Sequence, residues 1–409
     1  MMSITFEILH FLILVSISLL VARIFSSLGK KYFNLPEVVS EIITGIIIGP
    51  YALGSISIIG FTLIPETDSG FLAPVSGTIP VPQAFYIFAE IGIIFLLFRV
   101  GLNTDIERFV KAIEKSLIIA IGESMIPFFF GFLFIYFYTS NIPMALFVGV
   151  VLTSSSTGIT AKVLYDIGKI NSREGIAIMS STVIVDVISI TLLAIITGIK
   201  TIFSYTSIIF LIIDVAIFWS ISLFIGLKLK RYVNKMMFIF KNEMTRFSFI
   251  LLLLFIFVLI SLSLNLTIIV GAYAFGLILS GIERKEDLMT YSQSLQDFFT
   301  PIFFVSVGML VNIHIIYDVL IISVAIFAIA VISKLSGAAI PAWLLNYNKK
   351  ESIIIGLGLL SMGEIALILS NNALLYGIIN NELYSSTIFV TIGTTFLSPI
   401  LLSWIYSRN

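Results

Sequence analysis

The chain has no cysteine and only two histidines among its 409 residues. The first absence excludes disulfides, a thiolate metal site and a cysteine nucleophile. The second leaves His10 and His314, too few and too isolated for a transition-metal centre. Charge is scarce too: Asp, Glu, Lys and Arg make up 11% of the residues, against about a quarter in an average soluble domain. The formal net charge is zero, so nothing points to nucleic acid or another strongly charged partner. No Ser/His pairing and no HExxH run occurs, which removes the common intramembrane enzymes, and no cofactor is implied.

What the chain has is apolar length. Hydrophobic residues make up 59% of it and the mean hydropathy is +1.13, which excludes a water-soluble fold. A helix crossing a hydrocarbon core of about 30 Å needs about 20 apolar residues. On that criterion the sequence predicts an all-α polytopic membrane protein with about thirteen transmembrane helices. They fall at 4–24, 37–53, 83–102, 113–138, 142–164, 174–199, 204–227, 245–264, 267–281, 297–310, 315–345, 352–375 and 383–406. The first apolar stretch has no basic segment before it and is followed by Arg23, Lys30 and Lys31, the pattern of a retained helix and not a cleaved leader. We expect one membrane unit over 1–409, without a soluble regulatory domain.

Lys and Arg alternate between successive loops, as the positive-inside rule requires of a correct span count. Odd-numbered loops carry clusters such as Arg108, Lys111 and Lys115, or Lys162, Lys169 and Arg173. Even-numbered loops hold only Lys200, and the longest of them, 54–82, has none. The amino terminus is therefore predicted outside and the carboxyl terminus in the cytoplasm of a prokaryotic inner membrane. Spans 2–6 and 9–13 are five helices each, offset by seven, so the two sets cross in opposite senses: two inverted five-helix repeats.

Ionisable groups at mid-membrane depth cost about 2.5–3.5 kcal/mol each on insertion scales and mark a pathway or a site by default. Asp186 lies twelve residues past Glu174 at the start of span 6, roughly 18 Å deep. Its neighbours Ser180 to Val185 and Val187 to Ser189 bring hydroxyls and no charge. The alternative role is a helix-packing hydrogen bond. Lys334 is nineteen residues into span 11; a buried ammonium needs a carboxylate or loses its proton, unless it snorkels to the boundary.

The run Thr153-Ser154-Ser155-Ser156-Thr157-Gly158 interrupts span 5 with small residues. Discontinuous transporter helices offer such hydroxyls and carbonyls to a cation at the midplane, although small residues also serve close packing. Span 12 carries Gly356, Gly358 and Gly363 before Glu364, an acid that either carries protons or holds a broken helix together. Glu90 in span 3 is a secondary candidate. Glu123 in span 4 and Asp214 in span 7 read as peripheral or structural.

At these positions the chain resembles the cation:proton antiporter-2 family, the NapA and Kef type of sodium or potassium/proton antiporters. The resemblance rests on Leu35-Pro36-Glu37-Val38-Val39-Ser40-Glu41 with Gly45 and Gly49-Pro50, on Glu90-Ile91-Gly92 with Gly101-Leu102, and on Ser156 to Leu164. Pro301-Ile302-Phe303-Phe304-Val305-Ser306-Val307-Gly308 and Gly363-Glu364-Ile365-Ala366-Leu367-Ile368 complete it.

The resemblance implies a homodimer, with a scaffold at the interface and a mobile core, around spans 3–6 and 10–13, whose two discontinuous helices, spans 5 and 12, cross beside the site. Asp186 matches the family's ion-binding aspartate and Lys334 its buried lysine. Two positions depart. Val185 stands where a second polar residue usually precedes the aspartate, which deprives Lys334 of its usual partner; Lys334 then pairs with Asp186 or stays neutral. Met362 stands where Arg is common.

The function expected is secondary antiport of a monovalent cation, Na+ foremost, against protons. Asp186 binds either one, with Lys334, Ser155, Ser156 and Thr157 beside it and Thr153, Ser154, Glu364 and Glu90 as secondary candidates. The cation is the only metal, an alkali ion on Asp186. The alternatives are a K+/H+ efflux antiporter or channel-like K+ transporter, and a transport-inactive membrane sensor or subunit.

Overall fold

The computed structural model describes all residues except 1, 34, 54–56, 59–60, 63–70, 73–77, 80–81, 199–204, 229–231, 233–234, 236–241, 265, 267, 284, 310–318, 376 and 408–409. Fifteen α-helices occur among the described residues. In chain order they are α1 (Met2–Leu28), α2 (Glu37–Ile48), α3 (Gln83–Asn103), α4 (Ile106–Thr139), α5 (Ile142–Thr153), α6 (Thr157–Asp166), α7 (Arg173–Gly198) and α8 (Tyr205–Lys228). There follow α9 (Glu243–Ser263), α10 (Ile268–Leu279), α11 (Lys285–Met309), α12 (Leu320–Leu344), α13 (Lys349–Leu359), α14 (Glu364–Leu375) and α15 (Asn381–Ser407). Joining α5 to α6 and α13 to α14 across short interruptions leaves one helical span for each of the thirteen expected. Among the described residues, seven stretches are long and apolar enough to cross a membrane by length and composition.

Helix starts follow local chemistry. Asp105 caps α4 by accepting from the Glu107 and Arg108 backbones at 3.0 and 3.1 Å, and Asn141 caps α5 at Met144 N, 3.1 Å. Asn348 and Glu351 form a reciprocal capping box on α13, both bonds 2.8 Å. Between α2 and α3, two antiparallel rungs, Ser57–Ile58 with Phe61–Thr62 and Phe71–Leu72 with Thr78–Ile79, add short extended pieces to the all-helical architecture.

The packing falls into two groups. In one, α3 lies against α10 and α11, and α2 against α1 and α11. In the other, α4 lies against α5, α7 and α12, while α12 also packs on α13 and α15. Interior apolar side chains bridge the two groups: one cluster runs from α2, α3, α10 and α11 into α6, α7 and α13, and a second gathers α5, α12, α14 and α15. The outer faces are Leu, Ile and Phe, as on Phe129, Phe137, Leu259 and Ile321, the surface a hydrocarbon solvent requires.

Candidate functional site

The hydroxyl run of span 5 breaks its own helix. Thr153 and Ser154 turn their side chains back onto the Val150 and Val151 carbonyls, both at 2.7 Å, and this competition with the backbone ladder ends α5. Ser154 is extended (ψ 143°), and Ser156 restarts the chain as the cap of α6, accepting from Ile159 N. One residue type thus supplies both the stop and the start.

Span 12 is interrupted at 360–363, and the two interruptions meet. Ser156 donates its backbone N–H to the Ser361 carbonyl at 2.6 Å, the Ser155 hydroxyl donates to Leu359 O at 2.9 Å, and the Thr160 hydroxyl to Gly358 O at 2.7 Å. A Cβ on Gly363 would sit 2.7 Å from Ser156 Cβ, so only glycine lets the strands of chain touch here. Gly363→Ala should therefore lower thermal stability by about 1–3 kcal/mol through overpacking, read as a fall in the melting temperature of the purified protein. An unchanged melting curve would show that the crossing gives way freely.

A third element ties the second interruption down. From α15, Thr394 Oγ1 accepts from Met362 N at 3.3 Å, the Thr395 hydroxyl donates to Met362 O, and the Ser398 hydroxyl donates to Leu357 O at 2.6 Å. Sequence reasoning missed these three. Their signal was the hydroxyl spacing of four along one helix face, at a depth where unpaired backbone is costly.

Asp186 stands on α7 at 2% exposure. Thr157, the first residue of α6, donates its hydroxyl to Asp186 Oδ2 at 3.2 Å. One turn nearer the end of α7, Ser189 shares a hydrogen bond with Thr153 at 3.0 Å. A carboxylate at a helix amino terminus meets the positive end of the helix dipole, worth about 0.3–2 kcal/mol. The other end of the break is matched by a cation: Lys334 Nζ donates to Ser154 O at 2.9 Å and Leu152 O at 3.4 Å, the last carbonyls of α5.

Lys334 corrects two expectations. Its ion pair is with Glu123 of α4, and neither side chain is exposed. Val185 therefore does not leave the lysine without a carboxylate, and the lysine neither turns to Asp186 nor stands alone. Of the two readings of Glu123, peripheral or structural, its burial against Lys334 bears out the structural one. The cause is a close approach of α4 and α12, where a Cβ on Gly337 would lie 2.7 Å from Gly122 O and 3.2 Å from Glu123 Cα. Lys334 stands one turn before Gly337, so the two glycines bring acid and base together. Gly122 beside Glu123 was the available signal.

The other candidates divide. Thr153, Ser154, Ser155, Ser156 and Thr157 all lie within the crossing, each at most 2% exposed. Glu90 is half-buried on α3, one turn before Ile93, whose side chain lies against Gly158. Glu364 opens α14, and its side chain lies outside the described residues, as does His314. Met362 is fully buried and packs with Ala366, Leu369 and Val390, so an apolar contact occupies the position where the resemblance leads one to look for Arg. Lys162 of α6 pairs with Asp166 at 2.9 Å and reaches Glu37 of α2 at 3.7 Å, an ionic contact between α6 and α2.

The family described as "Sodium/hydrogen exchanger, transmembrane" matches residues 15–408. This chain belongs to that family. It is 31% identical to the probable Na(+)/H(+) antiporter GerT of Bacillus cereus over 90% of this chain and 92% of that one. It is 27% identical to the Na(+)/H(+)-K(+) antiporter GerN of Bacillus cereus over 91% of each. The fold matches that of the sodium proton antiporter MjNhaP1 from Methanocaldococcus jannaschii with a TM-score of 0.68 at 16% identity, over 98% of both chains. The family membership and the apolar spans make this a multi-pass membrane protein.

Proposed function

We propose that this chain exchanges Na+ for protons across the membrane, and that Asp186 binds the two in competition. The observation that carries this reading is a buried carboxylate held by Thr157 at the point where two interrupted helices cross. Hard cations take oxygen ligands, and the crossing offers hydroxyls and carbonyls beside Asp186. Only the neutralised carboxylate, carrying a proton or a cation, moves cheaply through a low-dielectric barrier. Relatives named as Na(+)/H(+) antiporters support sodium as the cation.

The two packing groups suggest how the site changes sides. The group holding α4–α7 and α12–α15 is the moving core, and the group of α1–α3 and α9–α11 is the scaffold. In this reading spans 3 and 10 go with the scaffold, whereas the resemblance implied a core around spans 3–6 and 10–13. The scaffold forms the interface of a homodimer, and the basic loops face the cytoplasm.

The test is exchange in vesicles carrying the purified chain, with Na+, Li+ or K+ added to one side and proton movement read by a pH-sensitive dye. Sodium should move protons in the opposite direction, and the apparent KM for Na+ should rise as pH falls while the maximal rate is kept, the signature of competition for one site. A Na+ KM independent of pH would overturn the competitive mechanism. Proton movement indifferent to every cation would overturn the exchange itself.

A further inference from the structure

The backbone around Ser361 is tied at almost every polar group. Leu357, Gly358 and Leu359 give their carbonyls to Ser398, Thr160 and Ser155. The Ser361 carbonyl accepts from Ser156 N, and Met362 is held at both its N–H and its carbonyl by α15. In the midst of this, the Ser361 hydroxyl is 0% exposed and has no hydrogen-bond partner among the described residues. A buried hydroxyl left unsatisfied is destabilising and demands an explanation. Simple packing does not give one, because alanine would fill the space without that cost.

We propose that the Ser361 oxygen is a direct ligand of the transported alkali cation. Its carbonyl is bonded to Ser156, and Ser156 is the neighbour of the residue that holds Asp186, so the spare oxygen belongs to the same crossing. The second interrupted helix thereby contributes a side-chain ligand of its own, not merely backbone support. An oxygen whose neighbours are fixed and whose own bond is unmade is preorganised for a guest that arrives without its water. This assignment rests on the crossing being the cation site.

The experiment compares four full-length proteins in vesicles: the wild type, Ser361→Ala, Ser18→Ala and Asp186→Asn. Ser18, on α1, is an equally buried hydroxyl with no partner among the described residues, so it controls for the loss of an oxygen as such. Ser361→Ala should raise the Na+ KM about tenfold, the equivalent of one ordinary bond, with the melting temperature kept or raised. Ser18→Ala should leave the KM unchanged. A Ser361→Ala KM within about twofold of wild type, or an equal rise in both serine variants, overturns the assignment. Retained exchange in Asp186→Asn overturns the underlying reading instead, so the two failures are distinguishable.

Discussion

Replacing Asp186 with Asn is expected to reduce sodium-driven proton movement at least about a hundredfold, a loss of roughly 2.7 kcal/mol or more of ion binding. Asparagine keeps the shape and accepts the Thr157 hydroxyl, but it holds no proton in this pH range and cannot neutralise a cation. Stability should be kept or improved, because a buried acid is costly to fold around and its amide is not. The two readouts together make the prediction sharp: a silent protein with an undiminished melting temperature. Normal exchange in that variant would remove Asp186 from the chemistry. A protein that fails to fold would instead make the residue a structural one.

The second large effect concerns Glu123 and Lys334. Removing one member of a fully buried pair leaves the other charge without compensation, at a cost of about 3–5 kcal/mol. Glu123→Gln or Lys334→Met alone should therefore lower the melting temperature by on the order of 5–10 °C. The double variant should recover most of that loss, since two neutral side chains of similar size need no partner. Recovery will stop short of complete, because Lys334 also holds Ser154 O and Leu152 O at the end of α5. If the double variant is as unstable as the sum of the singles, the two residues act independently and the pair has no energetic meaning.

These two residues mark where sequence reading works and where it stops. Asp186 is legible because one acid stands in a long apolar helix with hydroxyl neighbours. The interruption of span 5 is legible because five hydroxyl side chains in a row compete with their own backbone. The partnership of Glu123 and Lys334 is not, because 211 residues separate them and Gly122 beside Glu123 signals a close approach without naming the partner. What joins them is the meeting of Gly122 and Gly337, a property of two helices and not of one. The same holds for Thr394, Thr395 and Ser398, which read as an ordinary polar stripe until the second interruption is placed beside them. Periodicity and composition report a residue's depth; which residues share that depth is decided by packing.

The two interruptions are laced directly together, with Ser155, Ser156 and Thr160 donating to the carbonyls of Leu359, Ser361 and Gly358. In the exchange proposed above, elements stitched in this manner would move in one piece, and the ion would keep the same oxygens wherever the cradle faces. Its grip would then be alike from either bank of the membrane, with the sense of the traffic left to the gradients alone.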